Sequence, residues 1–396
     1  MAMRTKKRTL LALSGGVDSS VSGALLKKKG GEVEAGFMCN YRDPDPKCSY
    51  PQDKKWSRAV ARFLKIPWHE FNFEAIYKKK VLDYFYAGYQ KGETPNPDMF
   101  CNQAVKFGAF PKEAKKRNFN LVAFGHYARL KKVRAQEMGK LLGRRTGAGR
   151  KSTDRFVLLL RGKDKNKDQS YFLAQLTQRQ LRNVIFPVGH LTKRQVRMLA
   201  SDFGLPSRER KDSTGICSVG QLDLMDFLKR RIKEKRGPIY DLRGKKVGEH
   251  QGIFFYTIGQ RRGFGLALGK PHFIVAKDLK KNALVVAPEK DRSIYSSWVD
   301  VRGVVWTYGK PRLPLSCEVQ VRYRQRALPA TLKKGLRGGI RIQFRSAVWG
   351  AARGQFAVFY GATSRKNKKE IVLGSGAIKR AEGEEKVLAR LKKFWS

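Results

Sequence analysis

The sequence predicts an α/β amino-terminal half built on a doubly wound parallel sheet, then a small β-rich module, then a carboxy-terminal antiparallel β-barrel. Three observations carry this. Short apolar runs alternate with helical stretches early in the chain, and the first run opens onto a glycine-serine turn. Beyond Gly237-Pro238 the pattern changes to short alternating runs bounded by turn residues.

Thr9 to Leu13 has the length of a buried parallel strand, and Val21 to Lys29 has the apolar spacing of a helix closed by Gly30-Gly31. Between them lies Ser14-Gly15-Gly16-Val17-Asp18-Ser19-Ser20. A strand, a glycine-serine turn and a helix N-terminus form an anion site, because the unpaired N–H groups of the first turn and the helix dipole point into the turn. No lysine follows as a G-x-x-x-x-G-K-S/T loop requires. Asp18 would repel phosphate without a cation between them, which points to Mg²⁺ bridging Asp18 and a pyrophosphate. A tight, capped turn is the plainer reading.

Glu32 to Met38 reads as the second strand, 40–53 as a loop, Lys54 to Leu64 as a helix, Pro67 to Phe71 as the third strand, and Glu74 to Gly92 as a helix with an aromatic face. Ligands of such sheets bind at the carboxyl ends of the strands. Met38 ends the second strand on that edge, where an adenine can stack. In Thr94-Pro95-Asn96-Pro97-Asp98-Met99-Phe100-Cys101-Asn102, two prolines fix an extended turn. It presents Asp98 and Cys101 at the start of a helix, Gln103–Lys116, where a thiol pKa is lowered. An N-capping Asp98 and a plain buried Cys101 are the alternative.

Leu121 to Phe124 is a further strand, ending in Gly125-His126-Tyr127. Gly125 permits close approach of a ligand, while His126 suits a ligand or a structural role equally. Residues 131–155 carry nine Lys/Arg against Glu137 and Asp154 and read as a basic loop. Lys167-Asp168-Gln169 enters an aromatic helix, Lys193 to Phe203 is helical, and Lys211 to Ser218 is a loop holding Cys217. Leu222 to Lys235 reads as a basic helix. The β-rich module contains Gly252–Tyr256, Phe273–Ala276 and Ala283–Ala287. The barrel strands are Val299–Val305, Cys317–Tyr323, Gly339–Phe344, Gln355–Tyr360 and Glu370–Leu373. Within them, Arg322-Tyr323-Arg324 alternates basic and aromatic residues, as phosphate contact or base stacking requires, though a solvated barrel face explains it as well. Glu384 to Ser396 reads as a short basic helix. The expected domains are 1–220, 221–292 and 293–396.

Charge is the loudest compositional fact: 84 Lys+Arg against 33 Asp+Glu, a net +51. That implies affinity for a polyanion, and nucleic acid is the obvious one, unless the whole lineage is basic. Five unevenly spaced cysteines do not make a secreted disulfide framework, so a reducing, cytoplasmic setting is expected. The apolar runs fall short of a membrane span. The basic stretch Met1–Lys7 runs straight into the strand that carries the loop, which argues against a removable signal.

The Ser14–Ser20 string resembles the PP-loop of ATP pyrophosphatases, whose fold is adenine nucleotide alpha hydrolase-like. Essentially end to end, the chain resembles the tRNA-specific 2-thiouridylases. The resemblance rests on Ser14–Ser20, Thr94–Asn102, Gly125–Arg129, Lys167–Leu173, Lys211–Gly220, Gly248–Arg262 and Gly354–Tyr360. It implies a tRNA-uridine 2-sulfurtransferase that uses ATP with Mg²⁺ and releases AMP and pyrophosphate. ATP would be held by Ala12, Leu13, Ser14, Gly15, Gly16, Val17, Asp18 and Ser19, with Met38 and Gly125 also touching the nucleotide.

The resemblance further implies that Asn96, Pro97 and Asp98 meet a flipped target uridine, with Asp98 as acid/base. Cys217 would carry a persulfide, and Cys101 would be the nucleophile, closing a Cys101–Cys217 disulfide. His126, Lys167, Asp168, Gln169, Arg322, Tyr323 and Gln355 would touch tRNA, read at the wobble uridine of the glutamate, glutamine and lysine tRNAs. The implied partners are tRNA and a persulfide-bearing sulfur donor, either a relay protein or a cysteine desulfurase, acting on a free monomer.

Ser218-Val219 departs from the bulkier apolar pair usual after the second cysteine, and Cys39, Cys48 and Cys317 have no assigned role. Two other readings compete. A nitrogen-delivering PP-loop ligase would not need Cys101 or Cys217, and a non-catalytic RNA-binding protein would bind without ATP. An iron–sulfur thiolase would want a C-x-x-C arrangement, and none is present.

Overall fold

Leu10 and Leu11 are fully buried in the strand Arg8–Ala12 (β1), which is why this short apolar run becomes the middle of a sheet rather than a surface strand. The structure, a computed structural model, describes residues 7–134, 155–212, 215, 218–220, 223–266, 269–289, 291–361 and 370–395. The chain divides into two compact units. One comprises 1–82, 97–222 and 362–372; the other comprises 83–96, 223–361 and 373–396.

In the first unit β1 pairs in parallel with Glu32–Cys39 (β2) on one side and Leu121–Ala123 (β4) on the other. Trp68–Asn72 (β3) and Val184–Ile185 (β7) complete the all-parallel order β3-β2-β1-β4-β7. The helices Val17–Lys28 (α1) and Tyr50–Phe63 (α2) pack with Lys193–Asp202 over one core, where Val21, Val60, Val196 and Ala200 are fully buried. Aromatic rings fill another part of this unit: Phe71 meets Phe110 edge-on at 5.4 Å, and Phe107 lies 4.4 Å from Phe124. Each fully buried side chain of this size contributes about 2 kcal/mol.

Three local differences from the sequence reading matter. The helix expected over Gln103–Lys116 starts earlier, as Pro97–Phe100, and continues as a π-wound stretch, Cys101–Ala109, before Phe110–Lys116. Part of the basic loop expected over 131–155 is strand. Ala128–Arg134 (β5) and Arg155–Arg161 (β6) form an antiparallel ladder, because the apolar run of β6 buries Val157, Leu158 and Leu159 and β5 buries Ala128 and Val133, which outweighs the charge. The remainder, 135–154, lies outside the described residues. The aromatic helix after Gln169 is one 3₁₀ turn, Ser170–Leu173.

The second unit holds two sheets. Gly237–Tyr240 (β8), Lys246–His250 (β9), His272–Asp278 (β10) and Ala283–Pro288 (β11) form a four-stranded sheet in the order β10-β11-β8-β9. The carboxy-terminal helix, Glu382–Trp395, buries Val387 and Leu391 against Val275, Ala276 and Val285. Six antiparallel strands then close into a barrel: Tyr295–Trp306 (β12), Leu315–Gln320 (β13), Leu328–Lys334 (β14), Ile340–Trp349 (β15), Phe356–Gly361 (β16) and Ile371–Ala381 (β17). β12 pairs with both β15 and β17, so this ring has no open edge.

Three expectations for this unit are corrected. The basic helix expected over Leu222–Lys235 is only Leu224–Lys229, capped by Asp223, because like charges three and four apart in the following run oppose continuation. Gly252–Tyr256 is a 3₁₀ turn, Ile253–Phe255, rather than a strand. Ile253, Phe255 and Tyr256 are buried there. The strand expected over Cys317–Tyr323 stops at Gln320, and Arg322-Tyr323-Arg324 lies in a turn where Arg324 adopts φ +65°. Among the described residues, no helix is long and apolar enough to cross a membrane.

Candidate active site

The Ser14–Ser20 turn connects β1 to α1 through Gly15, whose φ of +78° favours glycine. Space demands glycine as well: a Cβ there would lie 2.7 Å from Ser57 N and 2.8 Å from Asp53 O of α2. The serines brace the turn from within. Ser19 and Ser20 hydroxyls donate to Gly16 O at 2.9 and 2.8 Å, and Ser57 Oγ donates to Leu13 O at 2.8 Å. Gly15→Ala is therefore expected to destabilise the fold by roughly 2–4 kcal/mol, seen as a lower midpoint of denaturant unfolding. An unchanged midpoint would mean the turn tolerates a side chain.

At the carboxyl edge of the sheet, and within the first unit, lies a cavity of about 790 Å³, a volume usual for ligand sites. Leu13 and Ser14 of the turn, Met38 at the end of β2, Asp98, His126 and Gln169 all line it, so six of the sequence candidates converge on one space. Asp98, Asn102 and Lys106 recur every fourth residue along the Pro97–Ala109 helical run and all line the cavity, while Cys101 between them is fully buried. Pro97 starts this run, where its missing N–H is no loss, and the preceding Asn96 is buried.

Loop 40–49 forms part of the wall, and two contacts tie it to the segment after Cys217. Asn40 Nδ2 donates to Ser218 Oγ at 2.9 Å, and Cys48 bridges to Gly220 in an isolated β-pairing. Cys48 is thus a buried wall residue of the cavity. Cys217 lies outside the described residues. Its sequence neighbours Gly215 and Ser218 line the cavity.

Asp18 is not among the lining residues, but Asp212, which shares its ion-pair network, is. The Asp18 carboxylate accepts Lys193 Nζ at 2.6 Å and Tyr127 OH at 2.7 Å through the same oxygen. Lys193 also reaches Asp212 at 2.8 Å, and Lys167 and Arg197 meet the same Asp212 carboxylate. Burial alone would raise the Asp212 pKa, but hydrogen bonds from Lys167 and Lys193 outweigh it and hold the carboxyl well below the usual range. Burial, and then the Asp18 charge, push the Tyr127 phenol upward, so it stays a donor.

Gly125 packs on the start of α1. A Cβ there would lie 2.8 Å from Ser19 N and 2.9 Å from the Asp18 carbonyl carbon. Asp168 turns to its own loop, accepting from Gly162 N, Ser170 N and Ser170 Oγ. Gln169 exchanges bonds with the Tyr127 backbone. Burial, with Lys106 second, pushes the His126 pKa well below its ordinary value, leaving a neutral imidazole.

In the second unit, Arg322 lies 5.2 Å over the Trp349 ring, Arg324 lies over Tyr323, and Gln355 Nε2 donates to Thr94 O at 2.8 Å.

The turn, with its N–H groups and small side chains, fits a phosphate chain, and the cavity beside it fits the base of a nucleotide. A metal held directly by protein fits less well. Asp18 already faces an ammonium, and among the described residues no group of three or more His, Cys, Asp or Glu could hold one. Sequence reasoning did not single out Asn40, Asn102, Lys106, Phe172 or Lys193. A pair such as Lys193–Asp18 leaves no local pattern.

A phosphate-type turn on a parallel sheet, followed in the chain by a small β-module and a closed barrel, defines an α/β protein of the HUP-domain fold with two β-rich domains behind it. A family model described as tRNA methyl transferase HUP domain matches residues 7–221. A PRC-barrel domain of the same designation matches 225–288, and an aminomethyltransferase beta-barrel domain matches 297–378. The "tRNA-specific 2-thiouridylase MnmA" of Lactobacillus gasseri is 39% identical over 398 residues, covering 98% of this chain and 99% of that protein. The namesake from Acidovorax ebreus is 38% identical, with 96% and 100% covered. The chain belongs to the tRNA-specific 2-thiouridylase family. A solved 4-thiouridine synthetase in complex with RNA and bound ATP overlaps 57% of this chain and 50% of its own, at 16% identity and a TM-score of 0.31, too slight to carry an argument.

Proposed function

We propose that this protein thiolates tRNA: with ATP it replaces the 2-oxygen of the wobble uridine by sulfur. The observation that carries the reading is full-length family membership together with a cavity that joins the Ser14 turn, Met38, Asp98 and His126 in one space. The Ser14–Ser20 turn would hold the phosphates of ATP and Met38 its base, and Mg²⁺ would be bound through the phosphates. Lys193 supplies the cation that keeps the Asp18 carboxylate from repelling them.

The chemistry follows in two steps. Uracil O2 attacks the α-phosphorus, the bond to the bridging oxygen breaks, and pyrophosphate leaves. Asp98, on the cavity wall, is the group placed to move a proton. Cys217 carries the incoming sulfur as a persulfide. The Cys101 thiolate attacks the inner sulfur, a Cys101–Cys217 disulfide forms, and the outer sulfur departs as hydrosulfide. That sulfur adds at C2 and AMP leaves with the original oxygen. An external dithiol then supplies two electrons to reopen the disulfide. The sulfur enters from a persulfide-bearing donor protein, and the polycationic chain meets a polyanionic substrate without a membrane partner.

The test is nucleoside mass spectrometry of tRNA incubated with Mg-ATP and a persulfide source, using wild type and Cys217→Ser side by side. A 2-thiouridine signal that vanishes in the variant is expected. ATP-dependent adenylation without thiolated product would instead favour the nitrogen-transferring ligase.

A further inference from the structure

Three buried polar atoms of the cavity-lining residues have no hydrogen-bond partner among the described residues: Asn40 Oδ1, Asn102 Oδ1 and His126 Nδ1. An amide oxygen buried without a donor costs about 1–3 kcal/mol, so such an atom marks a place where a donor belongs. Asn102 stands beside the chemistry. It follows Cys101 directly, is 3% exposed, and shares the cavity-facing row with Asp98 and Lys106.

The orientation of its amide is set from behind. Nδ2 donates to the backbone oxygen of Phe172 at 3.3 Å, so the nitrogen is engaged and the oxygen, which can only accept, is left without a donor on a residue that lines the cavity. His126 Nδ1 lacks that definition, because it donates or accepts according to tautomer. Asn40 lies two residues beyond Met38, and its amide nitrogen is taken up by Ser218.

A uracil that presents its C2 carbonyl for activation carries an N3–H immediately beside that carbonyl. Cytosine has a lone pair at the same position. An acceptor-only atom pairs with the first and repels the second, and rejection of this kind is strong because the site's buried group would be left unpaired. We propose that Asn102 Oδ1 accepts the N3–H of the target base, making Asn102 a specificity-determining residue that selects uracil over cytosine. The inference rests on the thiolation reading of the same site, and it assigns no proton transfer or covalent step to Asn102.

The experiment compares thiolation of tRNA carrying uridine or 3-deazauridine at the target position; the second replaces N3–H by C–H. Wild type, Asn102→Leu and Asn102→Asp are assayed. Wild type is expected to lose about 10- to 100-fold in kcat/KM on the deaza substrate. Asn102→Leu, of similar shape but without the acceptor, is slow on both and no longer separates them, whereas Asn102→Asp keeps the preference. A wild-type ratio retained by Asn102→Leu, or lost by Asn102→Asp, overturns the assignment. Should Asn102→Leu be too slow to assay, the two RNAs are compared by equilibrium binding. Lost discrimination there supports the bond, and retained discrimination overturns it. Failure of the underlying reading looks different, because wild type would then leave even the uridine tRNA unthiolated.

Discussion

Cys101→Ser is expected to lower thiolation by about 10³-fold or more while leaving ATP-dependent pyrophosphate release on tRNA in place. A serine hydroxyl does not ionise near neutral pH and cannot form the disulfide that frees the sulfur. The position is fully buried and the exchange nearly isosteric, so the fold survives. The cavity wall made by Asp98, Asn102 and Lys106 is untouched, so adenylation, which needs the Ser14 turn and not the thiol, continues. Measuring product by nucleoside mass spectrometry and pyrophosphate by a coupled assay separates the two half-reactions. Thiolation within tenfold of wild type would remove Cys101 from the path of the sulfur. Loss of both half-reactions together would place it in adenylation instead.

Lys193→Met is expected to raise KM for ATP by about 10- to 100-fold and to weaken the fold most near neutral pH, where Asp212 is ionised. Lys193 is largely buried and is the ammonium shared by Asp18 and Asp212, at 2.6 and 2.8 Å. Without it the Asp18 carboxylate faces an anion-binding turn uncompensated, and removing one partner of a shielded pair leaves the other charge unpaired. The sign of the pH effect follows from Asp212. Its folded-state pKa lies below its unfolded value, so its contribution to stability is present above the ordinary carboxylate pKa, about 4, and is lost as pH falls through the lower folded value. With Lys193 gone, Lys167 and Arg197 alone hold that carboxyl, its folded-state pKa moves toward the unfolded value, and the fall in stability with acid is shallower than in wild type, so the two proteins converge at low pH. Melting temperatures between pH 3 and 7 for wild type, Lys193→Met and Asp212→Asn test this. Parallel acid limbs in all three would show that the network does not titrate as described.

The alternation of apolar runs with helical stretches was enough to predict a parallel sheet, because a strand buried on both faces must be apolar throughout. β1, β2 and β3 fall within a residue or two of the expected positions. Charge misled where a ladder overrode it. Lys131 and Lys132 belong to β5, whose pairing with β6 is a long-range contact that no local window contains. Turn chemistry was legible at Gly15, since a glycine-serine turn between strand and helix has few other uses. It was not legible at Arg324, where a non-glycine residue takes a left-handed conformation and ends a strand early.

The sequence alone determined the elements and the chemically capable residues: the turn that can hold phosphates, the Asn-Pro-Asp and Cys101 string, the second cysteine and the basic surplus. These depend on local covalent chemistry and on patterns within one or two turns. Tertiary structure decided which of them share a space. It turned Met38, Asp98, His126 and Gln169 into one cavity and assigned Asp168 and Gly125 to holding its frame. It brought Lys193 across 175 positions of chain to neutralise Asp18, and it left Asn102 Oδ1 buried and waiting for a donor. Burial and hydrogen-bond partnership are properties of packed neighbours, and neighbours in space are set by the fold as a whole.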